Sequence, residues 1–295
     1  MKLSTTRHGA ALAVATLAVT SAIGVAATTT AASASAADNS IRVITHNLAK
    51  KNSALRGVVR KKEQLKGPEV ILLQEVCSTM LPRMRRNLSP TVVFHARRST
   101  EKCGSGGTVG EAVVWTGTGS SPVADVALGP KKDGHTYGLA CLDFGRNGRS
   151  VRACSTHLVA AKAPQSYRNE LTSAMGTHLG QWVGEKDVVI VGGDFNTTPK
   201  TYPMDQLYGR GNDAKGKFVE LHQMATGKPE RDGKATIGGG TDARKFDYIF
   251  ASMKGARLSG GTENTCWKDG NPETTDCTTS NHRILWGNVP LKPLS

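Results

Sequence analysis

Eight polar residues of this chain lie in or at the ends of apolar runs: Asn47, Glu75, Glu111, His157, Asp194, Asn196, Asp247 and His282. Polar side chains in such places cost several kcal/mol unless they are paired or hold an ion. Carboxylate and amide oxygens suit a hard divalent cation, and histidine is the side chain that exchanges protons near neutral pH. Each residue also has a plainer explanation. Gly192-Gly193 could form a tight turn, Asp194 and Asn196 could cap a helix, either histidine could be a satisfied core residue, and Glu75 could pair with a buried arginine. Taken together and in order, the set points to one cleft at the ends of strands, where a sheet gathers groups from distant sequence positions.

The surrounding pattern supplies the elements. Ile41–Asn47 alternates as a strand with two different faces, and Val70–Val76 reads as a buried strand carrying the acid Glu75. Ala112–Trp115 follows Glu111, Val151–His157 ends on a histidine, and Val188–Asn196 ends on Asp and Asn. Lys245–Phe250 alternates aromatics around Asp247, and Asn281-His282 opens a final strand. Ser53–Leu65 and Gln165–Val183 have helical spacing. No internal repeat or Pro/Ser linker interrupts the chain, so one α/β domain is expected. Asn147-Gly148 is a two-residue hairpin turn. Counting outward pairs Arg146 with Arg149 and places Cys141 opposite Cys154, with Cα atoms about 4.5 Å apart and within disulfide reach. Proximity in sequence suggests Cys77–Cys103 and Cys266–Cys277.

The chain has 295 residues, 38 Lys+Arg against 24 Asp+Glu, and six cysteines. Residues 1–36 read as a secretory signal: Lys2 and Arg7 precede the apolar stretch Ala10–Ala27, and Ala34-Ser35-Ala36 offers small residues for cleavage. The stretch is too weakly hydrophobic, and lacks the basic stop-transfer cluster, for a membrane anchor. Residues 37–295 are then an exported domain. Losing Lys2 and Arg7 lowers the net charge from +14 to +12. The length buries a core without staples, and the composition excludes a disulfide miniprotein, collagen, a coiled coil and wholesale disorder.

The ordered motifs are Thr-His-Asn47, Leu-Leu-Gln-Glu75-Val, Ser-Thr-His157-Leu, Gly-Gly-Asp194-Phe-Asn196, Phe-Asp247-Tyr-Ile and Ser-Asn281-His282. This pattern resembles the endonuclease/exonuclease/phosphatase superfamily, which includes pancreatic-type deoxyribonuclease, abasic endonucleases and bacterial sphingomyelinases. The resemblance implies a four-layered α/β sandwich of two mainly antiparallel sheets flanked by helices, and Mg²⁺-dependent phosphodiester cleavage, with Mn²⁺ or Ca²⁺ as possible substitutes. Glu75 is then the principal metal ligand with Asn47 beside it, and Asp194 and Asn196 orient the water and contact the phosphate. His157 and His282 form the acid/base pair, oriented by Glu111 and Asp247 respectively. The Glu111-Ala-Val-Val segment is similar to the deoxyribonuclease branch. Arg168 is a candidate phosphate contact, or else part of a solvated helix face. One departure stands out. The family's Ser-Asp-His is here Ser280-Asn281-His282, so position 281 offers the metal a neutral oxygen at most.

Net charge suits a polyanion, with basic clusters at Lys50-Lys51, Arg60-Lys61-Lys62, Arg83/Arg85/Arg86, Arg97-Arg98 and Arg244-Lys245. The expectation is a monomeric, secreted nuclease acting on nucleic acid, DNA foremost, without stable membrane insertion. Two rivals differ in kind. A sphingomyelinase or phospholipase C would need an aromatic or amphipathic membrane-binding element, and aromatics are only 5% of residues. A basic nucleic-acid-binding protein with weakened catalysis would not need the intact Asp194, Asn196 and histidines.

Overall fold

Both faces of the first strand are apolar: Ile41 and Val43 on one side, Ile44 on the other. Such a strand must be covered twice, once by another sheet and once by helices. The computed structural model describes residues 39–66, 69–97, 103–104, 106–129, 134–160, 163–268, 271–272 and 279–294. The proposed signal segment lies outside these residues. The strand spans Ser40–Asn47 (β1) and is followed by the helix Asn52–Leu65 (α1) and by Glu69–Cys77 (β2). Helix Leu81–Asn87 (α2) leads to Val92–Ala96 (β3), Val109–Trp115 (β4), Ser120–Pro122 (β5) and Val126–Ala127 (β6). The hairpin Gly138–Arg146 (β7) and Arg149–His157 (β8) precedes the long helix Gln165–Glu185 (α3) and Val188–Asp194 (β9). Then come Tyr202–Asp205 (α4), Phe218–Glu220 (β10), Leu221–Thr226 (α5), Asp247–Ser252 (β11) and Thr262–Thr265 (β12). A small ribbon of Trp267–Lys268 (β13) and Asn271–Pro272 (β14) precedes Leu285–Pro290 (β15).

Two mixed sheets result. One has the order β12-β15-β1-β2-β4-β3, the other β10-β11-β9-β8-β7-β5, with β6 also on β7. Among the described strands, all pairings are antiparallel except β1 with β2 and β8 with β9, so each sheet has one parallel pair near its centre. Three apolar clusters define four layers. Val43, Leu72, Ala153 and Ile190 fill the space between the sheets. Leu55, Val58 and Met84 of α1 and α2 cover the outer face of the first sheet. Leu171, Met175 and Leu179 of α3, with Met204 of α4, cover the second. The four-layered sandwich expected from the motifs is the fold observed.

The hairpin follows its turn chemistry. Asn147 and Gly148 both have positive φ, 49° and 73°, as a type I′ turn requires. Arg146 pairs with Arg149 and Cys141 with Cys154. The latter pair is bridged at a Cα separation of 4.2 Å, and Cys77–Cys103 is bridged at 5.8 Å. Cys277, the expected partner of Cys266, lies outside the described residues. Two elements differ from expectation. The final strand begins at Leu285, and residues 281–284 form the loop before it, tied by a bridge between His282 and Ile237. Gly192 and Gly193 make no turn; they run inside β9. A Cβ on Gly193 would stand 1.9 Å from the Thr156 carbonyl oxygen, and one on Gly192 2.7 Å from Tyr248 O. Glycine is what lets β8, β9 and β11 close up at this point.

Candidate active site

Strand register decides which side chains meet. β8 and β9 run parallel with His157 beside Asp194, and β11 runs antiparallel with Asp247 on the other side of Asp194. Three polar groups thus stand in a row at one edge of the second sheet. The facing edge of the first sheet carries Asn47 and, after a register shift in the β2–β4 pairing between Leu73 and Val76, Glu75. Glu75 sits at this bulge with φ 49°, and Asn196 has φ 50° just past β9. A left-handed backbone is unfavourable for such residues and persists where the surroundings enforce it, commonly at functional sites. Beneath this edge the sheets are laced by polar contacts: Gln74 Nε2 donates to Ser155 Oγ at 3.0 Å and to Thr45 Oγ1 at 3.2 Å, and Ser155 Oγ donates to Leu73 O at 2.9 Å.

Asp194 Oδ2 is the hub. Asn47 Nδ2 donates to it at 3.0 Å, and Nε2 of His157 and of His282 stand 3.3 and 3.4 Å away. Asn47 Nδ2 also donates to Glu75 Oε1 at 3.1 Å, so one amide links the two carboxylates across the cleft. Asp247 Oδ2 meets His282 Nδ1 at 2.8 Å, as the motif reading expected. Ser280 Oγ donates to Asn47 O at 2.8 Å and accepts from His282 N at 3.1 Å, fixing the loop that carries this histidine. Asn196 Nδ2 is 2.9 Å from His157 Nε2 and donates to Leu158 O at 3.0 Å. Asp194, Asp247, His157 and His282 are all buried, whereas 20% of the Glu75 side chain is exposed.

Electrostatics separates the two histidines. Burial opposes charge on His282, but the carboxylates of Asp247, Asp194 and Glu75 outweigh it and raise its pKa to about 9. His157 is driven well below the ordinary histidine value, first by burial and then by the positive charges of Arg97, His282 and Lys50. Burial pushes the Asp194 carboxyl upward, against the opposing pull of His282. Only His282 is therefore held as a cation.

Three expectations need correction. Glu111 does not touch His157: Arg97 stands between them, with Nη2 donating to Glu111 Oε1 at 2.6 Å and lying 2.7 Å from His157 Nδ1. Asn47 Oδ1 accepts from Ala49 N–H at 2.9 Å and Nδ2 faces the acids, so in this arrangement it acts as a clamp between carboxylates. Arg168 is neither solvated nor aimed at a phosphate. It is buried, and its terminal nitrogens donate to Ala160 O at 3.0 Å, Val159 O at 3.4 Å and Gln165 Oε1 at 3.1 Å, pinning the loop after His157. Two members of the basic clusters are internal: Arg97, and Lys245, which contacts the buried carboxylates of Glu220 and Glu263. Arg98 lies outside the described residues. Asn281 is exposed, and no hydrogen bond joins it to the cluster among the described residues.

Arg97 is the residue that the motifs missed, because no motif contains it. Its signal was present all the same: Thr-Val-Val-Phe-His-Ala precedes it, and it ends that apolar run as His157 and Asp194 end theirs.

For a divalent cation, the ligand atoms of Asp194, Asp247 and His282 lie within 4.8 Å of one another. Asp247 Oδ1 is buried with no hydrogen-bond partner, the kind of orphaned acceptor that a cation satisfies. Glu75 adds a carboxylate at the open side of the same cleft. The residues present fit such an ion.

This architecture and this set of strand-end acids and histidines define a phosphoesterase-type α/β sandwich. A family profile described as Endonuclease/Exonuclease/phosphatase family matches residues 44–283, and the chain belongs to that family. Its members hydrolyse phosphate esters and are generally metal-dependent. Solved structures share the fold at low identity. The human Nocturnin catalytic domain with bound sulfate has a TM-score of 0.61 at 16% identity, covering 86% of this chain and 95% of that one. D. rerio TDP2 complexed with a single-strand DNA product gives 0.60 at 14%, with 85% and 99% covered. An endonuclease/exonuclease/phosphatase from Bacteroides vulgatus gives 0.58 at 14%, with 86% and 99% covered. A comparison with curated protein sequences finds no match.

Proposed function

We propose that this chain is an exported, divalent-metal-dependent phosphodiesterase that cleaves nucleic acid, DNA foremost, with little sequence preference. The observation that carries the reading is the convergence of Glu75, Asp194, Asn196, His157 and the Asp247–His282 pair at one edge of the sandwich. Glu75, with Asp194 and Asp247 in reach, would hold a divalent cation such as Mg²⁺, which would supply positive charge to the phosphate. The chain's own residues do the rest. His282, cationic and aligned by Asp247, holds a proton at Nε2 for the departing oxygen. Asp194, its carboxyl held above the ordinary range, accepts a proton from the attacking water, and Asn196 orients that water and the phosphate. Asn47 keeps the two acids in register across the cleft.

The polyanion preference rests on the net charge and on exposed cations of the first sheet's outer layer. Lys51 precedes α1, Arg56 and Arg60 lie on it, Arg85 and Arg86 end α2, and Arg83 donates to Asn52 Oδ1 at 3.4 Å, joining the two helices. No described helix is long and apolar enough to cross a membrane, and the exposed large apolar residues Tyr202, Leu258 and Leu294 stand far apart in sequence. The test is incubation of the mature protein with plasmid, RNA and sphingomyelin, each with Mg²⁺ and with EDTA. Mg²⁺-dependent nicking of plasmid is the expected result. Cleavage of sphingomyelin alone would replace the substrate class, and tight DNA binding without turnover would replace catalysis by binding.

A further inference from the structure

We propose that Arg97 is a positioning residue that fixes His157 as the neutral tautomer with its proton on Nε2, reversing the orientation a direct carboxylate–histidine pair would give. The role in turnover rests on the phosphodiesterase reading; the tautomer assignment does not.

The geometry carries it. Arg97 Nη2 is 2.6 Å from Glu111 Oε1 and 2.7 Å from His157 Nδ1, with all three residues buried. Its place is fixed on several sides. The Arg97 backbone N–H donates to Val109 O at 2.9 Å, Glu111 takes its charge, and the guanidinium carbon lies 5.9 Å from the centre of the Tyr137 ring. A guanidinium has five N–H donors, no acceptor, and stays charged throughout the accessible pH range. Facing it, Nδ1 can only accept. A proton there would set N–H against N–H at a separation of 2.7 Å.

The other ring nitrogen then carries the hydrogen. Nε2 has two neighbours, Asp194 Oδ2 at 3.3 Å and the Asn196 amide nitrogen at 2.9 Å. As placed, both Arg97 and Asn196 offer N–H to the ring, which a neutral imidazole cannot accept from both sides while keeping a proton. Arginine cannot exchange donor for acceptor. The Asn196 amide can, by turning to present its oxygen to the ring and giving up the 3.0 Å bond from Nδ2 to Leu158 O, since amide orientation follows the hydrogen-bond network. The conflict resolves at Asn196, and Nε2–H points toward Asp194.

The consequence is a division of labour. His282 gives Nδ1–H to Asp247 and turns Nε2 to the hub; His157 gives Nε2–H to the hub and keeps Nδ1 for Arg97. A histidine paired directly with a carboxylate would present a bare Nε2 able to take a proton from water. With Arg97 interposed, His157 instead presents a hydrogen-bond donor, suited to a phosphate oxygen.

The test is the long-range ¹H–¹⁵N spectrum of the histidine rings in the mature protein, with His157 assigned by its disappearance in His157→Ala. The expected result is a protonated Nε2 and an acceptor Nδ1 in the wild type and in Arg97→Lys, which keeps a donor and a charge. In Arg97→Met/Glu111→Leu, which removes both partners and leaves no buried lone charge, the tautomer should mix or invert. There kcat on plasmid should fall about 10²-fold with KM little changed, as for a misoriented catalytic imidazole, and Arg97→Lys should recover most of it. A protonated Nδ1 in the wild type, or an unaltered Nε2–H form in the double variant, overturns the proposal. If no protein cleaves plasmid, the function reading fails and the spectra still decide the tautomer.

Discussion

Glu75 stands at the open side of the candidate metal site, and Asn281 lies outside its hydrogen-bonded cluster. Glu75 is aimed by a bulge, partly exposed, and held by Asn47. Glu75→Gln keeps the shape and the contact but removes the charge, so Mg²⁺ affinity and turnover should both collapse while the melting temperature holds. Titration calorimetry with Mg²⁺, beside plasmid nicking, checks this; undiminished Mg²⁺ binding would remove Glu75 from the metal site. Asn281 asks the complementary question. Restoring a carboxylate there should lower the Mg²⁺ concentration for half-maximal nicking without reducing the saturated rate, if the exposed side chain turns inward when the ion is bound. An unchanged Mg²⁺ requirement in Asn281→Asp would place position 281 outside the metal shell. Lys50 Nζ, 3.7 Å from Glu75 Oε2, is the cation that an incoming metal would have to displace.

At the scale of elements, the site exists because three strands come together where their chains end. Gly193 makes that approach possible: any Cβ meets Thr156 O. Gly193→Ala should separate β8 from β9, cost at least about 2 kcal/mol through overpacking, and misplace His157 against Asp194. Thermal unfolding and nicking, measured together, should both be impaired; a variant of full stability and activity would contradict this account of the double glycine. These elements were largely legible. Alternation and apolar runs located β1, β2, β8 and β9, the Asn-Gly turn set the register of the hairpin to the residue, and the ends of α1 and the start of α3 fell within a residue of the expected places. What stayed hidden was tertiary. No local pattern says that Arg97 reaches between Glu111 and His157, that Arg168 turns back onto its own loop, or that Lys245 is an interior cation. A basic residue in a polar stretch looks the same in sequence whether it meets water or a buried carboxylate. The stretch Asn281–Ile284 was read as strand because its apolar residues continue into β15, but Ser280 and Thr236 hold it as a loop.

Across the whole molecule, charge is used in two ways. Exposed cations stand on α1 and α2, while a second set is internal and structural. Lys245, in the loop before β11, joins Glu220 of β10 to Glu263 of β12, and His222 Nδ1 of α5 donates to Glu263 Oε2 at 2.9 Å, so two strands, a helix and a loop share one ionic network. The hydrogen bond to Glu263 raises the His222 pKa, with Glu220 adding to the effect and Lys245 opposing it. A histidine whose pKa is raised by folding stabilises the fold fully below its unfolded value near 6.5 and loses that contribution as pH rises through the folded value. That contribution should therefore fall away as pH rises above about 6.5, and His222→Asn should flatten that part of the curve. Chemical denaturation at a series of pH values measures it; an identical slope in the two proteins would show that the pair contributes nothing to the fold.

The proposed function has the cluster around Asp194 cleave phosphodiesters, with His282 as its proton carrier. Its most direct measurement is the single-turnover rate of plasmid nicking at saturating Mg²⁺ for the wild type and His282→Ala, with DNA affinity measured on the same preparations. Loss of the proton donor should slow nicking by about 10²–10⁴-fold and leave DNA affinity within a few-fold of the wild type. A His282→Ala protein that nicks at nearly the wild-type rate, or a wild type that nicks nothing, would contradict the account.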